Sequence, residues 1–158
     1  MSTLIVYSTK NGTTEKCANM LAEKLHTTNV VNVASQSIDI DDYETIVIGS
    51  CIRFGKILKP MENFLSENLH LLLHKQIALF ICCGFQNQAE QHFIANFPED
   101  LLYHAVTKQC FGGELDPNNL KGFDRFVTKI VMKSTVAQEN PKPHLLLNNI
   151  DELAKYIH

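Results

Sequence analysis

Apolar residues along this chain fall into two alternating periods, and the alternation predicts its architecture. Short, near-continuous apolar runs rich in Val and Ile occur at Leu4–Tyr7, Val30–Val33, Thr45–Gly49, Ile77–Cys82 and Ala105–Phe111. Runs of this kind are expected of strands whose two faces are both covered by helices. Between them, apolar residues return at helical spacing. Cys17, Met20, Leu21 and Leu25 fall at i, i+3, i+4 and i+8, on a helix predicted over Glu15–Leu25. Met61, Phe64, Leu65 and Leu69 repeat that spacing behind Pro60, a residue suited to a first helical turn. Ala89, Phe93, Ile94 and Phe97 form a third stripe, closed by Pro98. Phe123, Phe126, Val127, Ile130 and Val131 form a fourth, and Ile150, Leu153, Ala154 and Ile157 a fifth. The least regular stretch is Asn32–Glu44, where a short helix around Asp41–Tyr43 is expected.

Strand–helix alternation implies parallel strands joined by right-handed crossovers. The expectation is an α/β fold of three layers, with a five-stranded parallel sheet of order 2-1-3-4-5 and helices on both faces. A chain of 158 residues suits one domain, expected over 1–158. In that strand order, ligands bind beyond the carboxyl ends of the strands, where the first and third strands diverge.

Charge narrows the function. Fourteen Lys and Arg stand against 17 Asp and Glu, so the basic excess of a nucleic-acid footprint is absent. No apolar run approaches the ~20 residues of a membrane span. The opening apolar run breaks at Ser8-Thr9-Lys10-Asn11-Gly12, too early for a secretion signal. A cytoplasmic location is expected, with peripheral membrane contact left open. The five cysteines (Cys17, Cys51, Cys82, Cys83, Cys110) lie in apolar stretches and form no C-x-x-C pair. They read as core thiols of a protein in a reducing compartment. No His/Cys cluster has metal-ligand spacing, so no metal is expected. His92 and His104 read as structural.

The loop after the first strand carries the clearest chemistry. Ser8-Thr9-Lys10-Asn11-Gly12-Thr13-Thr14 is dense in hydroxyls and amides, and its one glycine permits a tight turn before the first helix. A helix amino end offers unpaired N–H groups and about half a positive charge. Together these suit a phosphate monoester; the alternative is an ordinary helix cap, which needs only one such residue. No G-x-x-x-x-G-K-[ST] or G-x-G-x-x-G occurs, which argues against a P-loop nucleotidase and a dinucleotide cofactor. Tyr7-Ser8-Thr9 offers no carboxylate for a phospho-acceptor site.

Thr9-Lys10-Asn11-Gly12-Thr13-Thr14 resembles the flavodoxin phosphate motif T-x-T-G-x-T, with Asn11 in place of a threonine. Ile48-Gly49-Ser50-Cys51-Ile52-Arg53-Phe54-Gly55 resembles the I-G-x-S/C-I-R-Y/F-G loop of the menaquinone-dependent protoporphyrinogen oxidases, flavodoxin-like proteins that bind FMN. Phe123-Asp124-Arg125-Phe126, followed by Ile130 to Lys133, is similar to that family's D-R-F helix. The resemblance implies an FMN cofactor in a flavodoxin-like fold. It places the phosphate on Ser8, Thr9, Lys10, Asn11, Gly12, Thr13 and Thr14. It places the flavin ring between Ser50, Cys51, Ile52, Arg53, Phe54 and Gly55 on one side and Cys83, Gly84 and Phe85 on the other. Phe54 and Phe85 are the candidates for stacking, and Arg53 for stabilising negative charge on reduced flavin or holding a substrate carboxylate.

Two departures bear on the substrate. No Lys or Arg stands between Lys75 and Lys108, and Glu114-Leu115-Asp116-Pro117-Asn118-Asn119 is acidic where that family is basic. An acid-rich porphyrinogen would want cations. The expected function is therefore an FMN-dependent oxidoreductase passing electrons from a small-molecule substrate to a quinone or other acceptor. The alternative is a flavodoxin-type carrier serving a redox partner protein.

Overall fold

The computed structural model describes residues 2–114 and 144–157. Its strands are β1 (Thr3–Ser8), β2 (Val30–Asn32), β3 (Thr45–Arg53), β4 (Lys56–Ile57), β5 (Gln76–Cys82) and β6 (Thr107–Cys110). Its helices are α1 (Thr13–Leu25), α2 (Lys59–Leu72), α3 (Ala89–Asn96), α4 (Glu99–His104) and α5 (Leu147–Lys155). Five strands run parallel in the order β2-β1-β3-β5-β6. Counting parallel strands alone, this is the predicted 2-1-3-4-5 order. The added strand β4 pairs antiparallel with the end of β3; two residues are too few to show a period in sequence.

Side-chain alternation along each strand divides the core in two. Leu4, Val6, Ile46, Ile48, Ile77, Leu79 and Ile81 face one side, where Met61, Phe64 and Leu65 of α2 and Phe93 of α3 cover them. Ile5, Tyr7, Val47, Ala78 and Phe80 face the other, under Cys17 and Leu21 of α1 and Ile150 and Leu153 of α5. Consecutive strand residues thus bury on opposite faces, which explains the unbroken apolar runs. Phe80 claims so much space on its face that β3 answers it with Gly49, its register partner. A Cβ at Gly49 would lie 2.0 Å from Phe80 Cζ. Phe80 in turn stacks on Phe111 with centroids 4.5 Å apart.

Several boundaries differ from expectation. The segment Asp41–Tyr43 is a turn, not a helix: Asp39 Oδ1 accepts the Asp41 N–H at 2.9 Å, and Ile40 O accepts the Tyr43 N–H at 3.2 Å. A short acid side chain competes for backbone donors in this way and holds the chain in a turn. Helix α1 begins two residues earlier than expected, so Thr13 and Thr14 belong to its first turn. Beyond Pro98 the chain forms α4, with Glu99 and Asp100 at its positive end. That helix shortens the strand expected over Ala105–Phe111, because Ala105 N–H still bonds Leu101 O at 2.9 Å. The fourth stripe and the D-R-F helix lie outside the described residues. Among the described residues, no helix is long and apolar enough to cross a membrane.

Candidate functional site

Three loops leave the carboxyl edge of adjacent strands. The register pairs Ser8 of β1 with Ser50 of β3, and Cys51 of β3 with Cys82 of β5. The β1–α1 loop, the β3–β4 turn and the β5–α3 loop therefore share one rim of the sheet.

In the first loop, Thr9 Oγ1 accepts the Gly12 N–H at 3.0 Å and closes the turn. Gly12 sits at φ +91°, a left-handed conformation that glycine reaches without Cβ strain. Its carbonyl accepts the Lys16 N–H at 3.0 Å and starts α1. Among the described residues no side chain caps that helix, so the amides of its first turn are left for another acceptor at the positive end of the dipole. Thr14 sharpens the point. Its Oγ1 is fully buried and, among the described residues, has no oxygen or nitrogen partner, an uncommon state for a buried hydroxyl. The thiols of Cys51 and Cys82 are the groups beside it. Lys10 and Asn11 are exposed at the tip, and Thr13 is half-buried.

Ser8 is placed differently from the rest of its loop. Its hydroxyl is buried and lies 2.9 Å from Ser50 Oγ. Ser50 Oγ also donates to Cys51 O at 3.0 Å and accepts the Leu58 N–H at 3.3 Å. The pair joins the end of β1 to β3 where the first loop begins. Burial raises the Cys51 thiol, against a hydrogen bond from the Lys10 backbone that links the first loop to β3.

The second loop is a two-residue turn between paired Arg53 and Lys56. Phe54 lies at φ +55° and Gly55 at φ +78°, the backbone of a type I′ hairpin. A bulky side chain at positive φ is strained. Here it presents the Phe54 ring outward, 56% exposed, with Arg53 Cζ 4.6 Å above its centroid. Ile52 is half-buried.

Asn96, at the end of α3, holds this turn from behind. Its Nδ2 donates to Gly55 O at 2.9 Å and to His92 O at 2.9 Å, and its Oδ1 accepts the Ile57 N–H at 3.1 Å. Sequence reasoning missed this residue. An asparagine at a helix end carries no spacing signal, and its partners lie 39 and 41 positions away.

In the third loop, Cys83 and Phe85 are buried and Gly84 is half-buried. Of the two aromatic candidates, the structure exposes Phe54 and turns Phe85 inward. Cys83 Sγ lies 3.3 Å from Cys110 Sγ at the end of β6.

A strained two-residue turn and an uncapped helix start follow neighbouring strands at the switch point of a doubly wound sheet, the place where such folds offer a candidate ligand site. The sequence matches the flavodoxin domain family over residues 4–142, and the chain belongs to that family. It is 22% identical to the protoporphyrinogen IX dehydrogenase [quinone] of Escherichia coli strain K12, over 99% of this chain and 92% of that protein. Among solved structures, an archaeal flavodoxin superposes with a TM-score of 0.56 at 21% identity, covering all of both chains. A flavoprotein in complex with FMN from Lactobacillus acidophilus NCFM gives 0.52 at 16% identity, over 69% of this chain and 92% of that one. The rubredoxin oxygen:oxidoreductase of Desulfovibrio gigas gives 0.51 at 17% identity, over 87% of this chain. The chain spans only 35% of that longer protein.

Proposed function

We propose that this chain binds FMN at the three-loop rim and serves as an oxidoreductase, moving electrons from a small-molecule substrate to a quinone or other acceptor. The observation that carries the reading is Thr14. Among the described residues, a buried hydroxyl with only two thiols beside it, in the first turn of a helix that no side chain caps, is a donor set suited to an anion. A phosphate monoester there would take the Thr14 hydroxyl, the first-turn amides and the hydroxyls of Thr9 and Thr13. The relatives support the choice of flavin: a structural neighbour holds FMN, and the E. coli relative is a quinone-dependent dehydrogenase.

The remaining residues have roles that follow from their placement. Bound flavin would supply the redox chemistry, accepting and releasing electrons at its ring. Phe54 offers an exposed aromatic face for stacking. Arg53 brings positive charge to the same turn, where it would stabilise negative charge as electrons arrive. Asn96 keeps the turn in place. Cys83, Gly84 and Phe85 would present backbone groups along the opposite edge. The chain's partners on this reading are a small-molecule substrate and a quinone, with the cytoplasm as its compartment.

The absence of Lys and Arg between Lys75 and Lys108 favours a second reading, a carrier that serves a redox partner protein. One experiment separates the two. The purified protein is loaded with FMN and titrated anaerobically with dithionite, then mixed with protoporphyrinogen and a soluble quinone. Two-electron reduction with quinone-dependent turnover is the expected result. Two resolved one-electron steps without turnover would favour the carrier. Failure to take up FMN at all would remove both.

A further inference from the structure

We propose that Cys83 and Cys110 form a peroxide-oxidisable dithiol, a modification site that closes to a disulfide between the β5–α3 loop and the end of β6. This inference does not depend on the flavin reading.

Two cysteine pairs are in contact, Cys17 with Cys82 and Cys83 with Cys110; Cys17 and Cys82 are both held in regular elements, whereas Cys83 lies outside one. Cys83 is the first residue beyond β5, and Cys110 is the last residue of β6, the adjacent strand. Their sulfurs are 3.3 Å apart, within hydrogen-bonding contact. Closing to a disulfide requires the sulfurs to approach to about 2.05 Å. Cys83 lies in a loop, outside the ladder of β5, and can give more readily than a residue held on both sides.

The two sulfurs differ in what surrounds them. Cys110 Sγ accepts the Gly112 N–H at 3.4 Å. Among the described residues, Cys83 Sγ has besides Cys110 an acceptor for its proton, the carbonyl of Phe85 at 3.6 Å. Donors converge on Cys110, and donors favour a thiolate. The Cys83 thiol holds the Cys110 thiol down, to about 7, while the same contact and burial push Cys83 up. Cys110 is therefore the attacking sulfur and Cys83 the resolving one. Both are nearly buried, at 5% and 6% exposure, which admits a small peroxide in preference to a bulky disulfide such as oxidised glutathione.

The chemistry balances in two steps. The Cys110 thiolate attacks one peroxide oxygen; an S–O bond forms, the O–O bond breaks, and the departing hydroxide takes up a proton as water. The Cys83 sulfur then attacks the sulfenic sulfur; the S–S bond forms, the S–O bond breaks, and hydroxide leaves as water with the Cys83 proton. The two sulfurs together lose two electrons, and one peroxide becomes two waters.

The test treats the native protein with hydrogen peroxide, blocks free thiols, digests with trypsin and maps disulfides by mass spectrometry, with far-UV circular dichroism to verify folding. Cleavage after Lys75, Lys108 and Lys121 puts Cys83 on peptide 76–108 and Cys110 on peptide 109–121. The expected product is those two peptides joined, with the intact mass lower by two hydrogens. In Cys83→Ser the link disappears and dimedone captures a sulfenic acid on Cys110. Three results would overturn the proposal: no link in folded wild-type protein, a link that persists in Cys83→Ser, or dimedone labelling that spares Cys110. Should Cys83→Ser fail to fold, fragmentation of the wild-type linked peptide decides between Cys83 and its neighbour Cys82, and a bond to Cys82 refutes the assignment.

Discussion

Ser8 Oγ and Ser50 Oγ lie 2.9 Å apart, both fully buried, at paired register positions where β1 ends beside the interior of β3. Because Ser50 gives its proton to Cys51 O, the Ser8 proton points at Ser50. One buried hydroxyl thus serves two strands and, through Leu58 N–H, the chain that leads into α2. Ser50→Ala is expected to strand the Ser8 hydroxyl and the Leu58 amide, at a cost of about 1–3 kcal/mol. Urea unfolding checks it; an unchanged midpoint would show that the network contributes nothing.

The phosphate cradle can be tested without disturbing the core. A Cβ at Gly12 meets no atom within 4 Å, so Gly12→Val acts through the backbone, not through a clash. Valine at φ +91° costs roughly 1–2 kcal/mol, and it is expected to reshape the turn enough to abolish FMN retention while the circular dichroism spectrum stays native. Isothermal titration with FMN measures the loss. Wild-type affinity would count against this loop.

Phe54 invites an exchange of stability for binding. Asn-Gly is the favoured pair for a type I′ turn, and asparagine tolerates positive φ far better than an aromatic residue. Phe54→Asn, with φ +55° retained, is expected to raise stability by about 0.5–1 kcal/mol. It should also weaken FMN binding, since the exposed ring is lost. If thermal and urea midpoints rise and affinity holds, Phe54 does not stack on the ligand.

Asn96→Ala removes the clamp behind that turn. Loss of bonds to Gly55 O and Ile57 N–H is expected to cost about 1–2 kcal/mol and to increase the FMN dissociation rate. Asn96→Asp, which keeps the acceptor for Ile57 N–H but sets a carboxylate oxygen against the carbonyls of Gly55 and His92, should cost at least as much. Stopped-flow displacement of FMN gives the rates, and equal rates in all three proteins would remove Asn96 from the site.

Gly49→Ala probes the opposite face of β3. The new methyl would sit 2.0 Å from Phe80 Cζ, and Phe80 has nowhere to retreat, stacked as it is on Phe111. A loss of about 1–3 kcal/mol or more is expected from overpacking. Adding Phe80→Leu should recover part of it, which paired denaturation curves will reveal.

Much of this was legible in the amino-acid order. The strand runs and helical stripes predicted the parallel sheet and its strand order. The hydroxyl-rich loop from Ser8 to Thr14 stood out because a helix start exposes donors and dipole locally. What escaped notice was short or distant in sequence. Strand β4 has two residues and no period. Helix α4 hid behind Pro98, and Asp41–Tyr43, expected as a short helix, is a turn because the Asp39 side chain competes for its backbone.

The order of residues, taken alone, determined which segments bury and where the backbone turns, because periodicity and glycine conformations are properties of neighbours along the chain. Only the tertiary structure decided which aromatic faces outward, which hydroxyl is left unanswered and which cysteines touch. Those outcomes depend on strands separated by loops meeting in one register: Ser8 reaches Ser50 across 42 positions, and Cys83 reaches Cys110 across 27. No local pattern encodes such pairings, since each is set by how the whole sheet aligns its strand ends.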